Sequence, residues 1–395
     1  MKALLSAVLL LAGAGMAKAE DWTQILNEAR GQTVYFHAWG GDRRTNDFIA
    51  SVGEEVLRDY GVTLRQVPLA DTADAVARVL AEKAAGRDAD GSVDLIWLNG
   101  PNFLAMADQG LLGAPFVQDL PNAAWLDLSE GSANSVDFTV PVEGRESPWR
   151  LARFVFTYDA DRIDPPPGRM ADWVGWAAAH PGRVTHPDPA NFMGATFLKQ
   201  ALIELAPLGT DLSIPPTDAS FAAATAPLWD WYDALRPNLW RQGQSFPENE
   251  SVQLQMLNDY EVDMSMSLDP ASAAAAIAEG LLPPSVRVHV PDGGSIGNVS
   301  FVAIPFNAAH RAGAEVVANA LLDPATQARM QDPAVLGAFS VLDPARLDAE
   351  GRAAFAALPD DPALPTLADL GPVLTEPHPA WMTRLTDEWQ RRYTR

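Results

Sequence analysis

TVYFHAWGGDRRTNDFIASVG, residues Thr33–Gly53, is the stretch whose reading decides how this chain is built. Val34, Tyr35, Phe36 and His37 are β-branched, aromatic or bulky, and no helical period fits them, so they predict a strand. The strand breaks at Gly40-Gly41. Beyond the break, Asp42 or Thr45 can cap a helix that carries Phe48, Ile49 and Val52 on one face. A strand, a glycine turn and a helix start make a place to hold a ligand. Glycines let backbone approach a guest, and a helix start offers free N–H groups. Trp39 stands at the lip. The plain alternative is an ordinary βα turn with a buried tryptophan.

Working outward, the unit repeats. Val62–Val67 alternates as a strand, and Asp71–Ala85 reads as a helix stopped by Gly86. Val93–Trp97 is a third strand, closed by the turn signal Asn99-Gly100-Pro101-Asn102 and followed by a helix to Gln109. This β-α-β-α-β-α order predicts a mostly parallel sheet with helices on both faces. Ligands of such sheets sit outside the carboxyl ends of the strands, so Trp39-Gly40-Gly41 and Asn99-Gly100 should share one rim. After the loop-rich residues 115–148, Arg150–Asp159 is a strand placed to cross into a second lobe. That lobe is read as an α/β unit with a strand at Arg183–His186, helices at Phe192–Leu205 and Ser220–Leu239, and a strand at Val262–Leu268. Ile296–Ile304, with Asn298 and Ser300 on its polar face, is the return crossing.

Toward the amino terminus, Met1-Lys2, the apolar run Ala3–Gly15 and Ala17-Lys18-Ala19 form a signal peptide, residues 1–19, with cleavage expected before Glu20. The chain has no cysteine, which excludes disulfides, thiolate metal sites and a lipoprotein anchor on cysteine. A formal charge of −23 argues against nucleic acid and against an anionic membrane surface, and weakly favours a cationic or neutral guest. None of the six histidines has H-x-x-x-H or H-E-x-x-H spacing, so no metal is expected.

Gly293-Gly294-Ser295-Ile296-Gly297 matches G-x-S-x-G, but the sequence after it is a strand, not the helix a nucleophile elbow requires. Carboxylates near turns include Asp42, Asp47, Asp94, Glu146, Asp188 and Asp269. A glycosidase needs two of them facing across a substrate, and a secreted carboxylate-based hydrolase acting on carbohydrate is the competing class. The aromatics Trp39, Phe103, Trp149, Phe192 and Trp240 fall at turns or element ends, where they suit a flat or cationic guest.

Several segments in order carry a family likeness: WGG…N at Trp39–Asn46, GSVDLIWLNGPNF at Gly91–Phe103, ESPW at Glu146–Trp149, IGNVSFVAIPFNA at Ile296–Ala308, VVANALLDPATQ at Val316–Gln327 and EPHPAW at Glu376–Trp381. Together they resemble the periplasmic solute-binding proteins of ABC importers, extracellular family 1, YnjB-like subgroup, over nearly all of the chain beyond the signal peptide. The resemblance implies a periplasmic-binding-protein type II fold: two α/β lobes joined by a hinge of crossing strands, closing on one small solute. Residues 20–148 and 297–340 would form lobe 1, residues 149–296 lobe 2, and residues 341–395 a C-terminal helical segment packing on the lobes. It implies a periplasmic location, delivery to a membrane permease driven by a cytoplasmic ATPase, no catalysis, no cofactor and a monomer. The chain itself has no P-loop. Carried over by position, Trp39, Gly40, Gly41, Asn46, Asn99 and Asn102 would line the cleft from the first lobe, with Trp149 near the hinge. Asn191, Phe192, Trp240 and Asp269 would come from the second lobe, and Asn298 from the returning strand. Relatives at this level bind thiamine, polyamines, iron or sugars, and the aromatics and acids here tilt the reading to a thiamine-like or other organic cation. Arg43-Arg44 matches no family pattern. Facing inward, these arginines would favour an anionic group.

Overall fold

The β-branched and aromatic run at the start of that stretch becomes β1 (Thr33–Trp39), which pairs in parallel with β2 (Thr63–Leu69) along its whole length and with β3 (Leu95–Leu98) on its other side. The computed structural model describes residues 22–358, 364–365 and 369–394, so the signal-peptide reading lies outside the described residues. Helix α1 (22–29) precedes β1. Helices α2 (Arg43–Tyr60), α3 (Ala73–Ala84) and α4 (Pro101–Asp108) follow the three strands in turn. Helix α2 ends at Gly61, whose φ of 72° is the left-handed conformation that lets its N–H return to the Leu57 carbonyl.

A small hairpin, β4 (Val136–Asp137) and β5 (Val140–Pro141), leads to the long strand β6 (Glu146–Arg153), which continues through Phe154 into β7 (Val155–Asp159). Then come α5 (Trp173–Ala179), α6 (Phe192–Leu205), α7 (Asp218–Leu235), α8 (Glu250–Asn258), β8 (Met264–Ser267), α9 (Ser272–Ala278) and β9 (Val286–His289). Strand β10 (Ser295–Ala303) returns, followed by α10 (Arg311–Leu321), α11 (Pro324–Gln331), α12 (Ala349–Ala356), β11 (Val373–Leu374) and α13 (Pro379–Tyr393).

Two sheets result. The first has the order β11-β10-β3-β1-β2, with β6 also on β10. Its β1, β2 and β3 are parallel, while β10 runs antiparallel to both β3 and β6. The second, β8-β7-β9, is antiparallel throughout. Residues 183–186, read as a strand from sequence, form none. The Arg183 and Val184 carbonyls accept single bonds from Asp263 N and Trp240 N instead of joining a ladder.

Each sheet has its own core. One is built around Phe36, Phe48, Ile96, Trp149 and Phe301, the other around Phe156, Trp173, Phe197, Tyr232 and Trp389. The crossing strands change cores as they run. Trp149 belongs to the first core and Phe154 to the second. On the return, Ile296 belongs to the second and Val299 and Phe301 to the first. The C-terminal segment divides between them: β11 joins β10, whereas α13 sinks Trp381, Leu385 and Trp389 into the second core. Among the described residues no helix is long and apolar enough to cross a membrane.

Candidate functional site

Between the lobes lie two chambers that share Trp39, Arg150, Glu250 and Leu268 as a common wall. The smaller, about 180 Å³, is lined by Trp97, Asn99, Asn102 and Ser300 of the first sheet's side, by Asn191, Phe192 and Met193 from the start of α6, and by Asn298. The larger, about 550 Å³, is lined by Gly41, Asp42 and Arg44 on one side and by Ser251, Gln255, Ser267 and Asp269 on the other. Both lobes contribute to each chamber.

The Trp39 turn is held by its own side chains. A Cβ on Gly41 would sit 2.4 Å from the Trp39 ring, and one on Gly40 would sit 2.5 Å from Pro68 Cβ. These glycines therefore make room for the indole and for Pro68. The start of α2 is not a free anion site either. Asp42 accepts from Arg44 N (3.3 Å), Thr45 N (2.9 Å) and Thr45 Oγ1 (2.6 Å), which caps the first turn. Asn46 donates to the Gly40 carbonyl (3.0 Å) and accepts from Gln66 (2.7 Å), so it braces the turn from behind and lines neither chamber.

Strand β6 supplies the central residue. Its pairing with β10 shifts register here: Arg150 sits opposite Ser300 and Pro148 opposite Phe301, which leaves Trp149 as the extra residue of a bulge. Trp149 points into the first core, fully buried, stacked on Phe48 (centroids 6.3 Å) and edge-on to Trp97 (4.9 Å). Arg150 points into the cleft, with its guanidinium 5.4 Å from the Trp97 ring and 5.7 Å from the Trp149 ring. It is only 7 % exposed, yet among the described residues its side chain makes no hydrogen bond and no ion pair, and its Nε is buried without a partner. Glu250 opens α8, and Asp269 follows β8 and accepts from Ala271 N (3.1 Å). Burial raises both carboxyls above their usual range, and Arg150 partly offsets this.

Beneath the smaller chamber is a fully enclosed polar floor. Lys199 of α6 pairs with Glu376 (2.7 Å), and its ammonium lies over Phe138 (4.4 Å) and Phe192 (4.8 Å). Glu376 also accepts from Asn298 Nδ2 (2.9 Å). Asp137 accepts from Gly100 N (2.5 Å), but its other oxygen has no partner among the described residues. Burial pushes its carboxyl up to about 8, and Glu146, whose two oxygens are also buried and unpartnered, is held well above its usual value by burial and by Asp137. Neither acid lines a chamber.

Of the residues named from sequence, Trp39, Asn99, Asn102, Asn191, Phe192 and Asn298 meet in the smaller chamber, and Trp39, Gly41 and Asp269 line the larger. Asn191 also caps α6 by accepting from Met193 N, and Asn99 Nδ2 donates to the Val299 carbonyl (2.6 Å). Four stand elsewhere. Gly40 and Asn46 build the turn, Trp149 is core, and Trp240, partly buried, packs on the apolar cluster of the second lobe that contains Met256 and Leu257, with Arg241 over its ring (4.2 Å). Arg44 does line the larger chamber, anchored to the Pro333 carbonyl (2.6 Å), while Arg43 crosses the mouth to Glu279 (3.1 Å). Sequence reading missed Arg150, Glu250 and Trp97. No strict alternation marks Arg150 in the sequence, because the register of β6 with β10 shifts at Trp149.

His186 is structural. It is buried between Phe197 and Phe246, bonded to Tyr232 Oη (2.8 Å), and burial lowers it to about 4. Ser295 of the G-x-S-x-G match opens β10 and accepts from Arg153 Nε (2.9 Å). Among the described residues no group of three His, Cys, Asp or Glu side chains is placed to hold a metal ion.

Comparison with known proteins places this geometry. The model of the bacterial extracellular solute-binding protein family matches residues 52–366. Protein YnjB of Escherichia coli (strain K12) is 43% identical over 376 residues, 95% of this chain and 94% of that one. Among solved structures, the periplasmic binding protein AfuA from Actinobacillus pleuropneumoniae, with fructose-6-phosphate bound, superposes with TM-score 0.63 at 13% identity, covering 92% of this chain and 98% of that one. Iron-bound HitA from Pseudomonas aeruginosa gives 0.57 at 15% identity, covering 92% and 99%. At such identities the likeness is one of fold, the two-lobed type II periplasmic-binding-protein architecture. The chain belongs to the bacterial extracellular solute-binding proteins.

Proposed function

We propose that this chain is the periplasmic solute-binding component of an ABC importer. It captures a small organic solute between its lobes and hands it to a membrane permease coupled to a cytoplasmic ATPase, acting as a monomer and without catalysis. The observation that carries this reading is the composition of the cleft. Aromatic and amide side chains from both lobes, Trp39 and Trp97 with Asn99, Asn102, Asn191 and Phe192, face one small chamber. Such walls stack a flat guest and satisfy its polar edge. Closure of the lobes would add the second wall's contacts and exclude water. A guest bearing an organic cation, thiamine-like in size, suits the indoles and the acids Asp71, Glu250 and Asp269.

The hydrolase alternative has less support. The strongly raised pair, Asp137 and Glu146, is sealed beneath the cleft where no substrate reaches, and Asp269 already accepts from the Ala271 N–H. The test is a thermal-shift screen of the exported protein with thiamine and its phosphates, polyamines, sugars and amino acids. A bound solute should raise the melting temperature. Trp39→Ala should then weaken its binding about 10-fold while leaving the fold intact, in line with the loss of one aromatic contact. Turnover of a glycoside or ester, with no solute shifting the melting temperature, would overturn the reading.

A further inference from the structure

We propose that the solute of this cleft is a zwitterion, its acidic group held by the Arg150 guanidinium and its positive centre turned toward Glu250 and Asp269. This rests on the cleft being the solute site, as argued above, and names the class of solute.

Arg150 is the reason. A guanidinium carries five donors in a planar fork and cannot discharge by losing a proton. Burying it without a partner is costly, so buried arginines are normally paired. This chain follows that rule elsewhere. Arg153, three residues along the same strand and equally buried, donates to Ser295 Oγ and to the carbonyls of Leu370, Gly371 and Pro372. Arg183 forks onto both oxygens of Asp263 (2.9 and 2.6 Å). Arg150 alone among these is left open, 7 % exposed, between two indoles and on the wall common to both chambers. Its fork matches a carboxylate or a phosphate, which would take two parallel N–H donors.

A simple anion would not fit. Asp42, Glu250 and Asp269 line the larger chamber beside Arg150, Asp71 lines the smaller, and Glu279 stands at the mouth, against the cations Arg43 and Arg44. An anion on Arg150 would cancel the positive charge that now steadies Glu250 and Asp269 in their half-buried places. A simple cation would satisfy the acids and leave Arg150 unpaired. A guest with both charges satisfies both sets.

The test uses matched probes on the whole exported protein: choline, glycine betaine and phosphocholine; thiamine and thiamine monophosphate; and amino acids with their amides. Calorimetry measures each against wild type, Arg150→Met and Arg150→Lys. The expected hits carry both charges, and the carboxylate and phosphate members tell which acidic group is used. Arg150→Met should weaken such a hit about 100-fold and Arg150→Lys about 10-fold, since lysine keeps the charge and loses the fork. Arg150→Met should bind the acid-free member of the pair no worse than wild type does. If the methionine variant does not fold, the wild-type comparison of each matched pair still decides. A hit lacking an acidic group, or one indifferent to Arg150, overturns the zwitterion while leaving the solute-binding reading standing. A panel in which nothing binds counts against both.

Discussion

Lys199 and Arg150 each bury a positive charge against aromatic rings, on the two sides of the wall formed by Phe192 and Asn298. Lys199, fully buried, has Glu376 at 2.7 Å and the rings of Phe138 and Phe192 above it. Arg150 has rings but no carboxylate within ion-pair distance among the described residues. The first charge is completed by the fold. The second is completed, on our reading, by a guest. Desolvation is charged against both, so the difference teaches where to look for function: not at buried charge as such, but at buried charge the protein leaves unmatched.

The sharpest way to break this comparison is at the paired site. Lys199→Met strands Glu376 beside Asp137 with no cation, and should cost about 3–5 kcal/mol in urea unfolding. A cost below about 1 kcal/mol would show that the floor pair does not hold the fold. Asp137→Asn tests the same floor through pH. The folded carboxyl sits at about 8 against an unfolded value near 4, so its neutral form is what the fold holds. That contribution is intact below about pH 4 and is lost as the pH rises toward 8. The asparagine variant should therefore flatten the fall in melting temperature between pH 5 and pH 8 and melt about 2–4 °C above wild type at pH 8. An unchanged slope would remove Asp137 from the account.

Arg150→Met is the mirror experiment. Removing an unmatched buried cation should change stability by about 1 kcal/mol or less, or raise it, in the absence of solute. A loss as large as that of Lys199→Met would mean that Arg150 belongs to the fold after all. The smallest effect is expected at the mouth, where Arg43 and Glu279 meet across the lobes with Arg43 74% exposed. A double-mutant cycle there should return about 0.5 kcal/mol or less and vanish in molar salt, because water and ions already screen the pair.

Much of the architecture was legible in the residues. The strands at 33–39 and 63–69 and the helices after them follow local periods, and a period is visible wherever one face is buried and the other is not. The rim position of Trp39 and of Asn99 followed from that order, because βα turns of a parallel sheet gather at one edge. The site was read less well. Trp149 and Trp240 fall at predicted element ends, where tryptophan suits a guest, yet Trp149 is core and Trp240 is a partly buried residue packed on a small cluster of the second lobe. Of the glycines of the first turn, Gly40 makes room for Pro68 and lines neither chamber, whereas Gly41 makes room for the Trp39 ring and lines the larger one. A tryptophan's large apolar face serves either role, and only its neighbours decide which.

By itself the sequence determined most of the order of elements, the absence of cysteine, the crossing strands at 150–159 and 296–304, and which segments meet at the rim, since all of these depend on composition, local pattern and chain connectivity. Tertiary structure alone decided which charges were matched. Lys199 finds Glu376 at a separation of 177 residues, and Asp137 and Asn298 reach the same floor from other parts of the chain. Among the described residues Arg150 finds no such partner. Pairing and desolvation are sums over everything within a few ångströms in space, and no local pattern in the chain records them.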